Sequence, residues 1–178
     1  NISNIDGSNN TIIGYDAGPT NLSTPQGPLT GANNIIIGFG ALPSAANVDN
    51  EITLGNDNIA TIRCGGSVIA STSDRRDKTE IIDSAYGADF LRKLRPVQFT
   101  WAKRNGSSLN GKKRLGFIAQ ELEEAMDENN KDILDLVYES NPEYLEANYS
   151  NLIPILVRAI QELTEKCERL ESQLKQYN

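Results

Sequence analysis

Residues 1–72 and 73–178 of this 178-residue chain are written in different residue types, and together they predict a mixed fold. Repetitive β structure comes first, and an α+β part with a long C-terminal helix follows. Three observations carry this. Short β-branched runs recur in the first half, a strict heptad closes the second, and the composition changes abruptly between them. The first half is rich in Asn and Gly, and Arg63 is its only Lys or Arg. The second half holds most of the charge, the only Trp and the helical patterns.

The repeats come first. "NNTIIGYDAG" at 9–18 aligns with "NNIIIGFGAL" at 33–42, and "NEITLGNDNI" at 50–59 is a looser third copy. Each gives a short β-branched run, then Gly, then an aromatic or polar residue. Ile, Thr and Val favour strands, while Gly and Asn favour the turns between them. "GPTNLSTPQGPLTG" between the first two copies reads as a loop. With only Tyr15 and Phe39 as aromatics, this half cannot build a sizeable core by itself. Short strands with open edges are marginal alone. The pattern therefore predicts a solenoid or prism in which several identical chains close one shaft, with a small monomeric β-domain as the alternative.

In the second half, Ala88, Leu91 and Leu94 have helical spacing, and Pro96 ends that helix. "VQFTW" alternates as a strand, and the turn-rich "NGSSLNGKK" predicts a hairpin. "RLGFIAQELEEAMDE" reads as a strand passing into a helix with Ile118, Leu122 and Ala125 inward. "DILDLVYES" is a further strand or short helix. Ile153, Leu156, Ile160, Leu163, Cys167, Leu170, Leu174 and Tyr177 are spaced alternately three and four apart over residues 148–178. That predicts an intermolecular coiled coil, with Ser150 as N-cap and Pro154 tolerated in the first turn. Ile at a with Leu at d favours a dimer by the usual rule, which Cys167 and Tyr177 in the seam weaken.

Composition excludes much. There is no histidine, so Ser-His-Asp and Cys-His catalysis and histidine metal sites are absent. The net charge is −7 and the basic runs are short, which argues against nucleic-acid binding. No apolar run approaches the roughly 18–20 residues of a membrane span. Cys64 and Cys167 lie in unlike contexts and read as reduced, partly buried thiols. The chain opens without Met and in mid-pattern, as a fragment of a longer protein would. No matched carboxylate pair for glycan cleavage stands in residues 1–72.

The boundary itself, "ASTSDRRDKTEI" at 70–81, offers one hydrolytic pair: Ser73 with Lys78. A free lysine titrates near about 10.4. A general base at neutral pH needs roughly 7–8, reached through burial or nearby cations. Arg75 and Arg76 supply cations, and Asp74 and Asp77 oppose them. The bland reading is a solvated, charged linker.

"SDRRDK" at 73–78, "LGFIAQELEE" at 115–124 and "YSNLIPILVRAIQEL" at 149–163 together resemble the intramolecular chaperone domains of phage endosialidase tailspikes and related appendages. The repeats resemble trimeric tail-fibre shafts more loosely. The resemblance implies a trimeric β-helix or β-prism-like shaft at 1–72 and a chaperone autoprotease at 73–178. That domain would assemble a homotrimer, then cut itself off at Thr72–Ser73. Ser73 would be the nucleophile and Lys78 the base, with Asp74, Arg76, Gln120 and Glu121 in supporting positions. No cofactor or metal enters this reading. The mature part would reside in the virion and meet the host cell surface, and the chaperone would be released in the host cytoplasm. The competing reading is a fibre tip or receptor-binding module that never cuts.

Overall fold

The computed structural model describes residues 6–18, 28–63, 65–66, 70–104 and 106–176. The chain divides into two compact units. One comprises Asn1–Arg63, Gln98–Arg114 and Glu139–Leu145; the other comprises Cys64–Val97, Leu115–Tyr138 and Glu146–Asn178. Cys64, Tyr177 and the loop at 19–27 lie outside the described residues.

In the first unit each repeat supplies one strand: β1 (Thr11–Ile13), β2 (Ile35–Ile37) and β3 (Ile52–Leu54). They pair in parallel, in the order β1-β2-β3. The register sets Thr11, Ile35 and Ile52 side by side, so equivalent residues of the copies stack. The centre of β2 faces inward: Ile36 is fully buried with Leu29, Ala17 and Ala41, and Ile12 packs against them. The outer residues Ile13, Ile37, Ile52 and Leu54 are exposed. The aromatic that follows the glycine repeats too, and Tyr15 stacks on Phe39 with centroids 5.8 Å apart.

Backbone kinks recur with the sequence. Asn9, Asn33 and Asn50 all take φ near 60° two residues before a strand, where Asn tolerates the left-handed region. Gly38, just past β2, has φ 130°, and a Cβ there would lie 2.9 Å from the Gly55 Cα. Only glycine permits that approach. An asparagine ladder ties the copies: Asn34 donates its backbone N–H to Asn10 Oδ1 at 2.9 Å, and Glu51 donates its own to Asn34 Oδ1 at 2.9 Å. The Asn34 amide also donates to the Val48 carbonyl at 2.7 Å, so this buried polar side chain is satisfied. In the third copy Glu51 takes the asparagine's place, and its carboxylate accepts from the Ser44 and Thr53 hydroxyls.

Two downstream segments complete this unit. β4 (Val97–Thr100) and β5 (Lys113–Gly116) form the expected hairpin, closed by Trp101 N–H to the Lys112 carbonyl at 3.0 Å. Its turn grips the loop after β3. Lys103 Nζ meets Asp57 at 2.7 Å, Ser107 Oγ donates to the Asp57 carbonyl at 2.6 Å, and Ser108 N–H donates to Asn58 Oδ1 at 2.7 Å. Asn141 Nδ2 donates to the Ser44 carbonyl at 3.0 Å.

The second unit is α+β. It holds α1 (Ala88–Leu91), α2 (Ala119–Ala125), α3 (Lys131–Leu134), β6 (Val137–Tyr138) antiparallel to β7 (Glu146–Ala147), and α4 (Leu152–Gln176). Phe90, Leu122, Met126, Leu134, Leu136 and Ile155 are among its buried residues. α1 docks on α4, where Glu162 Oε2 accepts from the Ala88 N–H at 2.9 Å. A Cβ at Gly87 would lie 2.5 Å from both Glu162 oxygens, so a larger residue there would have to displace that carboxylate.

Several expectations are corrected. α1 ends at Leu91, short of Pro96, and continues only as a turn in which the Lys93 and Leu94 N–H groups donate to the Phe90 and Leu91 carbonyls. Ser150 is no N-cap: it lies in a 3-10 turn at Tyr149–Asn151, its hydroxyl donates to Asn148 Oδ1 at 2.7 Å, and α4 starts at Leu152. Cys167 is exposed rather than partly buried. Of the "DILDLVYES" alternatives both occur, as α3 and then β6. α4 buries Leu152, Ile155 and Ala159 in its own unit. The heptad residues Ile153, Leu156, Ile160, Leu163, Leu170 and Leu174 are all exposed. Among the described residues one chain alone forms three stacked strands and one long helix, neither a closed β-helix shaft nor a coiled coil.

Candidate functional site

Residues five apart do not meet in regular structure. In an α-helix they point about 140° apart, and in a strand to opposite faces. Ser73 and Lys78 meet because a single 3-10 turn, Arg75–Asp77, lies between extended residues. Asp74 is its N-cap with ψ 137°, and Lys78 is extended again with φ −129°. The turn is closed by Asp77 N–H to the Asp74 carbonyl and Lys78 N–H to the Arg75 carbonyl, both 3.2 Å. Lys78 Nζ then lies 2.5 Å from Ser73 Oγ.

Asp74 holds the turn from its first residue. Its Oδ1 accepts from the Arg76 N–H at 2.8 Å and from Arg76 Nε at 3.0 Å, and its Oδ2 accepts from Arg76 Nη2 at 2.6 Å. The Arg76 side chain, and then its backbone N–H, hold the Asp74 carboxyl below its ordinary value, while Asp74 raises the Arg76 guanidinium.

Gln120 and Glu121 lie in the first turn of α2. Gln120 is exposed. Glu121 receives a two-pronged pair from Arg95, at 3.0 Å through Nε and also through Nη2. The hydrogen bonds and charge of Glu121 raise the Arg95 guanidinium. The structure therefore joins Ser73 to Lys78 and Asp74 to Arg76, and engages Glu121 with Arg95. Sequence reading missed Arg95, whose partner stands 26 residues on with no spacing signal. It also read Ser107 and Ser108 only as turn formers, although both bond the loop after β3.

Every residue from 70 to 85 is exposed, Ser73 and Lys78 included. Two apolar side chains three and four residues after Lys78 stand bare, Ile81 at 54% and Ile82 at 88% exposure. The geometry can pass a proton from hydroxyl to amine, and the bond between Thr72 and Ser73 adjoins that hydroxyl. Among the described residues no three His, Cys, Asp or Glu cluster to hold a metal, and no helix is long and apolar enough to cross a membrane.

The chain thus comprises one unit built on stacked β repeats and one α+β unit, and the serine–lysine pair lies in the first segment of the second, Cys64–Val97. Residues 73–131 match the family model described as the chaperone of endosialidase, a family named as a peptidase. The matched segment begins at Ser73. No curated protein and no solved structure matches the chain.

Proposed function

We propose that residues 73–178 are the intramolecular chaperone of a phage fibre, spike or appendage, which brings three chains together and then removes itself by cutting Thr72–Ser73. The observation that carries this is the Ser73–Lys78 hydrogen bond of 2.5 Å at the first residue of the matched segment. In this reading residues 1–72 are the end of the shaft and 148–178 contain the coiled-coil helix.

The chemistry balances within one chain. Lys78, as the neutral amine, takes the Ser73 hydroxyl proton while Oγ attacks the Thr72 carbonyl carbon. The C–N bond breaks, and the proton passes from Lys78 to the leaving Ser73 nitrogen. Thr72 is then an ester on Ser73 Oγ. Water cleaves that ester, leaving a Thr72 carboxylate and a free Ser73 amino terminus. Nucleophile and substrate are covalently held together, which removes much of the entropic barrier. One turnover with a half-life of about an hour needs a barrier of roughly 22 kcal/mol, within reach of a modest site.

Assembly supplies what the single chain lacks. A neutral lysine needs a dry or cationic site, and this one faces water. Neighbouring chains that cover Ile81 and Ile82 would exclude water there, tying cutting to assembly. Two further surfaces support an association of copies. The outward Ile13, Ile37, Ile52 and Leu54 leave a parallel sheet apolar on both faces, a pattern of sheets covered on both sides. The exposed heptad of α4 is the second. After cutting, the mature part remains in the virion, facing the host surface, and its trimer is kinetically hard to unfold.

The test is denaturing electrophoresis with intact mass for wild type, Ser73→Ala, Lys78→Ala and Lys78→Arg. Wild type should split between Thr72 and Ser73 while all three variants stay whole. A wild-type chain that forms oligomers and remains uncut sinks the autoprotease and leaves the non-cutting fibre module.

A further inference from the structure

We propose that Asp74 and Arg76 form a positioning pair for the serine–lysine dyad: the Asp74 carboxylate caps the turn that brings Lys78 to Ser73, and Arg76 occupies that carboxylate so that Lys78 is left to the hydroxyl. This rests on the dyad reading above.

The only element between nucleophile and base is a three-residue 3-10 turn, and such turns hold poorly without a cap. Asp74 provides that cap through the Arg76 N–H. The cap has a hazard. A carboxylate four residues from Lys78 can capture the ammonium, and an opposite charge favours the protonated amine, which cannot act as a base. Asp77, Glu80 and Asp83 are the other acids of residues 70–85. Asp74 is the one tied down on both oxygens, by the guanidinium fork of Arg76 at 3.0 and 2.6 Å. A lysine at 76 would bring the charge without the two-pronged geometry. Stability does not account for the pair, since the side chains of Arg76 and Asp74 are 87% and 42% exposed and such ion pairs add little. The sequence "SDRRDK" then has an order: nucleophile, cap, guard and base, with the guard placed where its own backbone N–H also serves the cap.

The experiment follows appearance of the 73–178 piece from the full chain over time, with circular dichroism and oligomer size checked for each variant. Arg76→Ala should slow cutting about tenfold or more, since small misplacements of reacting groups have effects of this order. Arg76→Lys should be slowed as well. Asp74→Asn keeps a cap without a charge, and should cut within about threefold of wild type, as Asn caps as well as Asp. Asp74→Ala should be slow. The decisive variant is the double change Asp74→Asn with Arg76→Ala, which should regain most of the rate lost in Arg76→Ala. A double variant as slow as Arg76→Ala overturns the guard role, and so does an Arg76→Ala chain that cuts at the wild-type rate. Asp74→Ala cutting at the wild-type rate overturns the cap. If wild type itself stays whole, the dyad reading fails and this inference falls with it; if wild type cuts and these variants do as well, only this inference falls.

Discussion

The stacked strands and the segment 70–85 lie in one chain and hold their shapes by different means. In the stack, Asn34 is fully buried; its amide oxygen accepts from Glu51 of the third copy and its amide nitrogen donates to the Val48 carbonyl just before that copy. Ile36 beside it is fully buried as well. An unpaired amide there would carry its whole desolvation cost, so burial leaves the backbone one arrangement. The segment 70–85 has no buried residue, and its form comes from one short turn and the side chains of four neighbours. A stack fixed by burial has its inner face complete in the chain that makes it, while its outer face stays bare. In the proposed reading, a site fixed only by a turn and left in water is geometrically ready and chemically unfinished, which would suit a reaction that has to wait for partners.

Variants separate the two regimes most sharply at Ile36 and Lys78. Ile36→Ala removes a fully buried side chain from the first unit and should destabilise it by about 2–5 kcal/mol, visible as a lower thermal midpoint. Lys78→Ala, exposed, should leave that midpoint within error and abolish cutting. If Lys78→Ala melts early, the segment carries structural weight and the contrast fails. Asn34→Ala sharpens the same contrast with a smaller effect. It leaves the Val48 carbonyl and the Glu51 N–H without their partner, and should lose about 1–3 kcal/mol. A neutral outcome would mean that water replaces the ladder.

α4 repeats the comparison within a single helix. Leu152, Ile155 and Ala159 are buried in its own unit, while Leu163 on the heptad face is 53% exposed. Leu163→Asp should therefore leave the helical signal of the isolated unit nearly unchanged, and should lower oligomer mass by light scattering. Loss of helix at dilutions where the chain is monomeric would show that Leu163 serves its own unit.

What was legible in the sequence follows the same division. The strands of all three copies could be read because stacking in register brings a β-branched residue to the same place in each, as at Ile12, Ile36 and Thr53. The hairpin showed in the alternation of 97–101 and in its glycines. The pair Ser73–Lys78 could be named from residue types, but their meeting could not, since nothing in the spacing announces a capped 3-10 turn. The bond between Arg95 and Glu121 was hidden for a related reason: it is made by the fold, across 26 residues, and neither residue type is unusual on a surface. Ser150 misled because a serine before an apolar run is a sound cap signal, and here the preceding 3-10 turn includes Ser150 and moves the helix start to Leu152.

The smallest effect expected is a titration. Asp74 is held below its ordinary value of 3.8, first by the Arg76 side chain and then by its backbone N–H. A group whose folded value is depressed lends its stabilisation fully above the unfolded value, and loses it as pH falls through the folded one. The capped turn should therefore persist at mildly acidic pH and open only below the usual carboxylate range. The carbon-13 shift of the Asp74 carboxyl should titrate with a midpoint below 3.8 in wild type, and the midpoint should rise in Arg76→Ala while staying short of a free aspartate's, because the backbone N–H still bonds it. A wild-type midpoint at or above 3.8 would mean that the pair does not persist in solution. The turn would then be ordered by something other than its own cap, and the neighbouring chains would be the first place to look.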